Sequence, residues 1–344
     1  MIAITYDRVY RAIASVSKEL EKKVGDIDIE VNELMANKNF TINKKITNND
    51  GKQKSITETK QLSDADINYL EQINDKGAEA ILCATPKQIK AWSTGDLNPE
   101  GLSTDFKKYL KESVLIYTRS DKYIFKYFRS LGIKACVYCN ALSAFDPYID
   151  DVNVYKNAGF ECDHFLNKDD HPTFSISFFN LYPSCGNCNR AKGKLSVDFN
   201  LYVEKEEDIK KHRFLFALDA ASRARYLLDK KPESLTVKFT DFEEKQVQGK
   251  EKTFADRFNI RGIYAQHRDM AEELILKQQV YTDTYLKSLN QAFGKIVGGR
   301  ERLRERLIIG NYSRPEEIHK RPLSKFSQDI ARQLGLLQPP EQEK

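Results

Sequence analysis

Apolar positions recur along most of this chain at spacings of three and four, the period of an amphipathic helix. Val9, Ile13, Val16, Leu20 and Val24 draw such a stripe across residues 6–24. Ser63-Asp64-Ala65-Asp66 has the form of a capping box and opens a helix through Leu70 and Ile73. Further helices are expected over 78–93, 104–117 and 121–131. The last of these carries Ile124, Phe128 and Leu131 on one face and stops at Gly132, a fitting residue just past a helix end. The same period predicts a helix over 204–230, and one or two long helices over 254–292 with Met270, Leu274, Tyr281, Tyr285 and Leu289 on one face. Gly298-Gly299 interrupts that pattern, and a final helix over 323–335 ends at Gly335 and the Pro339-Pro340 tail.

Alternating, strand-like stretches are fewer. Phe40-Thr41-Ile42 and Ser55-Ile56-Thr57 flank Asn49-Asp50-Gly51, the pattern of a hairpin. The surrounding Asn, Lys and Thr bury so little that an unstructured loop competes with it. Leu235-Thr236-Val237-Lys238-Phe239 reads as a short strand or extended segment. The expectation is an α+β protein, mostly helical, in which a distinct unit over 133–200 separates mainly helical regions over 1–132 and 201–344.

Composition narrows the class. With 55 basic and 50 acidic residues in 344, net charge alone does not demand a polyanionic partner. No run of 18 apolar residues is present, which excludes an ordinary membrane-spanning helix. The start, Met1-Ile2-Ala3-Ile4-Thr5-Tyr6-Asp7, lacks the basic and apolar regions of a secretory signal. Four of the six cysteines sit in C-x-x-C pairs, a usage that suits metal binding in a reducing compartment better than disulfides. A soluble cytoplasmic protein is expected.

Those pairs are Cys136-Val137-Tyr138-Cys139 and Cys185-Gly186-Asn187-Cys188. Two such knuckles can close a tetrahedral structural Zn²⁺ site with no open position. The 45 residues between Cys139 and Cys185 are too many for a zinc ribbon, so the zinc would staple the ends of an inserted unit. Cys83 and Cys162 lie outside the knuckles and read as packing residues. The insert holds Asp163-His164, with Asn180 sixteen residues after His164 and Asn189 nine further on. A neutral imidazole can take a proton from water at neutral pH, which makes His164 a candidate general base.

The run Asp163-His164, Asn180-Leu181-Tyr182-Pro183, Cys188-Asn189-Arg190-Ala191-Lys192-Gly193-Lys194 resembles the ββα-metal motif of HNH endonucleases, in the subset with two zinc knuckles. Asn189 stands where the last letter of the triplet has His, a variant that keeps an oxygen ligand. The resemblance covers about 60 residues. It implies that Asp163 and Asn189 hold one Mg²⁺ or similar divalent cation, that Asn180 fixes the His164 ring, and that Arg190, Lys192 and Lys194 contact phosphates. Each position also has a plainer reading: Asp163 as a strand-end cap, Asn180 as a turn residue, Asn189 as a helix cap, and the basic residues as solvated charges.

The resemblance further implies double-stranded DNA as substrate, 5′-phosphate and 3′-hydroxyl products, and little sequence preference. Residues 136–194 carry five basic against seven acidic side chains, so DNA must be gripped elsewhere. Residues 251–344 offer 17 basic against 13 acidic, with Arg300, Arg302, Arg304 and Arg306 clustered, although alternation with Glu there equally suits a salt-bridged face. Ile318-His319-Lys320-Arg321-Pro322-Leu323 within a long helical C-terminal part resembles HNH proteins of Septu-type antiphage defence, which work beside an SMC- or ABC-like ATPase. Two alternatives stay open: a non-catalytic zinc-stapled module binding nucleic acid or protein, and a nuclease acting on RNA or single strands.

Overall fold

The computed structural model describes residues 3–47, 53–116, 122–145, 159–195, 201–205, 208, 214–240 and 253–337. The architecture is mixed and mostly helical, with four two-stranded sheets among the described residues. After β1 (Ile4–Thr5), the first apolar stripe folds as two helices, α1 (Tyr6–Ala14) and α2 (Ser17–Asn37), where one was expected. The break falls at Ser15, whose hydroxyl donates to the Ala12 carbonyl at 2.6 Å, a local bond that competes with helix continuation. Val16 still reaches the core, so the stripe remains apolar across the break.

The hairpin forms. β2 (Asn39–Thr47) and β3 (Gln53–Gln61) pair antiparallel from Asn39 with Gln61 to Thr47 with Gln53, and the Asn49-Asp50-Gly51 turn lies outside the described residues. Phe40 supplies the buried surface the segment otherwise lacks, packing on Phe106 and Tyr109 at 5.4 and 5.2 Å between ring centroids. The Ser63 box also forms: Ser63 Oγ accepts from the Asp66 amide while Asp66 Oδ2 accepts from the Ser63 amide, opening α3 (Asp64–Lys76). The stretch over 78–93 splits into α4 (Ala78–Leu82) and α5 (Pro86–Thr94), because Pro86 cannot continue a helix but can begin one, here capped by Thr85. α6 (Thr104–Tyr109) runs on into a π-helical turn over Leu110–Val114, and α7 (Lys122–Leu131) stops at Gly132 with φ +66°.

The middle of the chain contributes β4 (Glu161–His164), β5 (Leu181–Ser184) and α8 (Gly186–Lys192). β6 (Tyr202–Val203) then pairs in parallel with β1. The helix expected over 204–230 is corrected to a strand and a shorter helix: β7 (Leu215–Leu218), then Ala220–Asp229. Phe214, Phe216 and Leu218 alternate and are buried, so period two prevails there, and β7 pairs antiparallel with β8 (Val237–Thr240). Residues 241–252 lie outside the described residues.

Residues 254–292 form four helices instead of one or two, over Phe254–Arg257, Ile260–Ala265, Arg268–Val280 and Asp283–Val297. Left-handed Asn259 and the capping hydroxyl of Thr282, which accepts from the Tyr285 amide, mark two of the breaks. A short helix over Arg300–Leu303 continues into a π-helical turn, Arg304–Ile309. The last helix spans Ser324–Gln333, with Gly335 at φ +74°, and Pro339-Pro340 lies outside the described residues. No helix among the described residues is long and apolar enough to cross a membrane.

One continuous hydrophobic cluster draws on all three expected regions, from Ile4 and Val9 through Phe174 and Phe178 to Phe326 and Ile330. Its seam joins the two ends of the chain. Arg8 donates to the Leu131 carbonyl and packs against the His319 ring, and the His319 carbonyl accepts from the amides of Lys134 and Ala135 at 2.8 and 3.2 Å. Burial, with Arg8 and Lys320 adding to it, holds the His319 ring down to about 3. The unfolded chain therefore takes up a proton on this residue below about pH 6.5 that the native state refuses until about pH 3, so this contribution to stability is lost as pH falls through that window. We expect the pH 7 to pH 4 loss in unfolding free energy to be smaller in His319→Gln than in the wild type, by about 3 kcal/mol in urea titrations. Equal losses in the two proteins would show that His319 is not the group responsible.

Candidate active site

The four knuckle sulfurs, of Cys136, Cys139, Cys185 and Cys188, are buried and all lie within 4.8 Å of one another. A tetrahedral zinc with Zn–S bonds of about 2.3 Å sets sulfurs about 3.8 Å apart, so this cluster can hold a structural zinc. Each knuckle is closed by its own backbone: the Asn140 amide donates to the Cys136 carbonyl at 2.9 Å, and the Asn189 amide to the Cys185 carbonyl at 3.0 Å. Asn140 sits at φ +54°, and its side chain bridges to the C-terminal part, donating to the Ile318 carbonyl and accepting from the Lys325 amide. The Val137 amide donates to the Pro183 carbonyl at 3.3 Å and Tyr264 Oη donates to the Cys139 carbonyl at 2.8 Å. The first knuckle is thus fastened to β5 and to the helices that follow the insert.

Between the knuckles, β4 and β5 pair antiparallel, with Asp163 opposite Tyr182 and His164 opposite Leu181. α8 leaves directly from Cys185 and lies on β4. Asn189 Nδ2 donates to Glu161 Oε2 at 2.7 Å, and Lys192 Nζ donates to Asp163 Oδ1 at 3.2 Å. Glu161 and Asp163 are two apart on a strand and Asn189 and Lys192 three apart on a helix, so each pair shares a face. Asp163 and Asn189 are therefore brought to one strand–helix interface. A Cβ on Gly186 would meet Glu161 Oε1 at 2.8 Å, so glycine here leaves room for the Glu161 carboxylate beside α8.

Asp163 is 5% exposed with both oxygens hydrogen-bonded: Oδ2 accepts from Tyr138 Oη at 2.5 Å and Oδ1 from Lys192. Burial pushes its carboxyl above the usual carboxylate range, while Lys192 and Tyr138 oppose that shift. Asn189 donates through Nδ2 to Glu161, and its side-chain carbonyl oxygen has no hydrogen bond among the described residues.

His164 ends β4 and alternation sends its ring off the Asp163 face. Its Nε2 lies 2.8 Å from the Ser175 carbonyl. A carbonyl only accepts, so that nitrogen carries the hydrogen and Nδ1 keeps a lone pair. Nδ1 has no hydrogen bond within the described residues. Burial, helped by Lys168 and Lys192, lowers the ring to about 4, which leaves it neutral at pH 7.

Two expected roles change. Among the described residues Asn180 makes no hydrogen bond to the His164 ring: its Oδ1 accepts from the Leu166 amide at 2.8 Å, its Nδ2 donates to the carbonyls of Leu166 and Phe174, and its own carbonyl accepts from the Phe165 amide. It fixes the loop that leaves His164 and returns at Ser175, and so acts on the ring only through the backbone. Lys192, expected at a phosphate, is 2% exposed and donates to the His164 carbonyl at 2.6 Å as well as to Asp163. Its hydrocarbon stem and ammonium are committed to the interior.

Arg190 and Lys194 are exposed as expected. Arg190 donates to Asn187 Oδ1, and Lys194 pairs with Asp169 at 2.7 Å. Of the C-terminal arginines, Arg304 pairs with Asp283 and Arg306 stacks over Tyr312 at 4.6 Å, so both engage the protein itself. Cys162 and Cys83 pack partly buried against the core. The sequence did not single out Glu161, Ser175 or the role of Tyr138. Glu161 carries a usable signal, since it precedes Asp163 by one strand period. The other two depend on a loop path and on the fold of a knuckle. Comparison with known proteins finds no matching family model, no similar curated protein and no similar solved structure.

Proposed function

We propose that this chain is a metal-dependent endonuclease of the HNH kind, hydrolysing phosphodiester bonds of DNA. One observation carries the reading: a buried, neutral His164 with one nitrogen tied to a carbonyl ends a strand whose Asp163 meets the Asn189 helix, inside a unit closed by four clustered cysteines. Strand, strand and helix follow in the order the motif requires.

In this reading His164 Nδ1 accepts a proton from the attacking water, while the Ser175 carbonyl holds the opposite edge of the ring. The Asp163 carboxylate and the Asn189 carbonyl oxygen are hard donors on one interface, which suits Mg²⁺. Such an ion, when bound, offsets charge growing on the phosphoryl oxygens and on the departing 3′ oxygen. Asn180 keeps the loop behind His164 from moving, and Lys192 compensates charge at Asp163 from within. Arg190 and Lys194, exposed at and just past the end of α8, would exchange their bonds to Asn187 and Asp169 for the flanking phosphates.

A role as the cutting subunit of an antiphage complex, beside an ATPase partner, belongs to the same proposal. It rests on the C-terminal segment 318–323, which is built directly against the first knuckle through His319 and Asn140.

The Lys192–Asp163 pair favours a second reading, in which a neutralised carboxylate is purely structural and the unit is a zinc-stapled binding module. Incubating supercoiled plasmid with the protein separates the two. We expect open-circle and linear products with Mg²⁺ or Mn²⁺ and none with EDTA. Metal-independent retardation of DNA without strand breaks would favour the binding module, and cleavage confined to RNA or single-stranded substrates would change the substrate class.

A further inference from the structure

Tyr138 is the third residue of the first knuckle, flanked on either side by the sulfurs of Cys136 and Cys139, yet its side chain serves the other site. Its ring is 1% exposed and stacks on Phe258 at 4.5 Å with 14° between planes, fixed from outside the insert. Its hydroxyl ends at Asp163 Oδ2, 2.5 Å away across 25 residues of sequence. From this geometry we infer that Tyr138 is the positioning residue through which the cysteine knuckle sets the orientation of the Asp163 carboxylate, so that a divalent ion meets a preformed ligand. The inference rests on the nuclease reading, in which Asp163 is a ligand.

The physical basis is the rotation of a carboxylate. Asp163 has two oxygens, each able to accept more than one bond. Lys192 holds Oδ1, through a long flexible stem. Tyr138 holds Oδ2 through a rigid ring that stacks on Phe258 and lies beside Tyr182, so rotation about the Asp163 side-chain torsions is opposed on the more rigid side. With Tyr138, Lys192 and the His164 backbone amide as donors, a carboxylate that can accept about four bonds still has a lone pair for a cation. Partners of this kind, bonded to a metal ligand without touching the metal, commonly change metal affinity about 10–100-fold. Phenylalanine retains the ring and its stacking, and removes only the hydroxyl.

The test compares the wild type, Tyr138→Phe and Asp163→Asn, all with zinc bound, by Mn²⁺ titration followed by electron paramagnetic resonance, alongside zinc content by mass spectrometry. We expect full zinc content in Tyr138→Phe and Mn²⁺ binding weakened about 10-fold. In plasmid nicking the half-saturating Mn²⁺ concentration should rise by a similar factor, with the rate at saturating metal largely recovered. A purely structural role for the hydroxyl would lower thermal stability without moving the Mn²⁺ affinity, and that result overturns the inference alone. Mn²⁺ binding unaltered in Asp163→Asn would instead remove Asp163 as a ligand, and with it both this inference and the metal assignment beneath it.

Discussion

Replacing His164 with alanine should reduce plasmid nicking by about 10²- to 10⁴-fold while leaving the fold and the cysteine cluster intact. Among the described residues the ring's one hydrogen bond is to the Ser175 carbonyl, so its loss removes no hydrogen bond to Asp163 or the knuckles. Truncation leaves a cavity in a buried position, and a stability loss of about 1–3 kcal/mol is expected beside the far larger kinetic effect. Circular dichroism and zinc content would report the first, and initial rates at saturating Mg²⁺ the second. Because the ring is neutral well below pH 7, the wild-type rate should not fall between pH 8 and pH 6 on account of this base. Cleavage at wild-type rate by His164→Ala would remove the proposed mechanism.

Breaking the cysteine cluster should have the largest effect on stability. Cys139→Ser removes one sulfur from a buried set of four and leaves three thiols packed together without their closing partner. The consequence is not confined to the metal. The Cys139 carbonyl receives Tyr264, the Asn140 side chain anchors Ile318 and Lys325, and Val137 reaches β5. The knuckle is therefore where the insert, β5 and the C-terminal helices are fastened together. We expect zinc to fall from one equivalent to near none and the melting temperature to drop on the order of 10 °C or more, with aggregation on heating. Treating the wild type with a strong chelator under mild denaturation should reproduce that shift. A variant retaining full zinc and the wild-type melting temperature would show that the four sulfurs do not act as one site.

How far the sequence could be read depended on whether a signal was local. The two C-x-x-C pairs, the Ser63 capping box and the Gly132 stop are written in a few adjacent residues and reappear where they were expected, and the strand read in Leu235–Phe239 forms over Val237–Thr240. The division of helices was less legible. Ser15 ends α1 with a single hydroxyl bond while the apolar stripe continues unchanged on either side, so periodicity alone cannot see the break. Over 204–230 a four-residue strand is hidden in front of a genuine helix, and its identity depends on a partner strand two dozen residues on.

The site divides along the same line. Which residue types cluster between the knuckles was legible, but not which way their side chains turn. Lys192 reads as one more basic residue on a surface helix until α8 is laid on β4, when three residues' spacing from Asn189 carries it into the interior over Asp163. Asn180 looks like a partner for the His164 ring until the loop between them closes, leaving its amide to satisfy Leu166 and Phe174 instead. Tyr138 shows only as an intervening residue of a knuckle, and nothing local announces that its hydroxyl reaches Asp163.

In the proposed mechanism one divalent ion sits where α8 crosses β4, held by Asp163 and Asn189, with His164 the next residue along the strand. Crystals of the zinc-loaded protein soaked in Mn²⁺ and measured at the manganese absorption edge test this most directly. We expect an anomalous peak, distinct from the zinc, about 2–2.5 Å from an Asp163 carboxylate oxygen and from Asn189 Oδ1. A manganese peak elsewhere, or none at this interface with Lys192 still seated on Asp163, would contradict it.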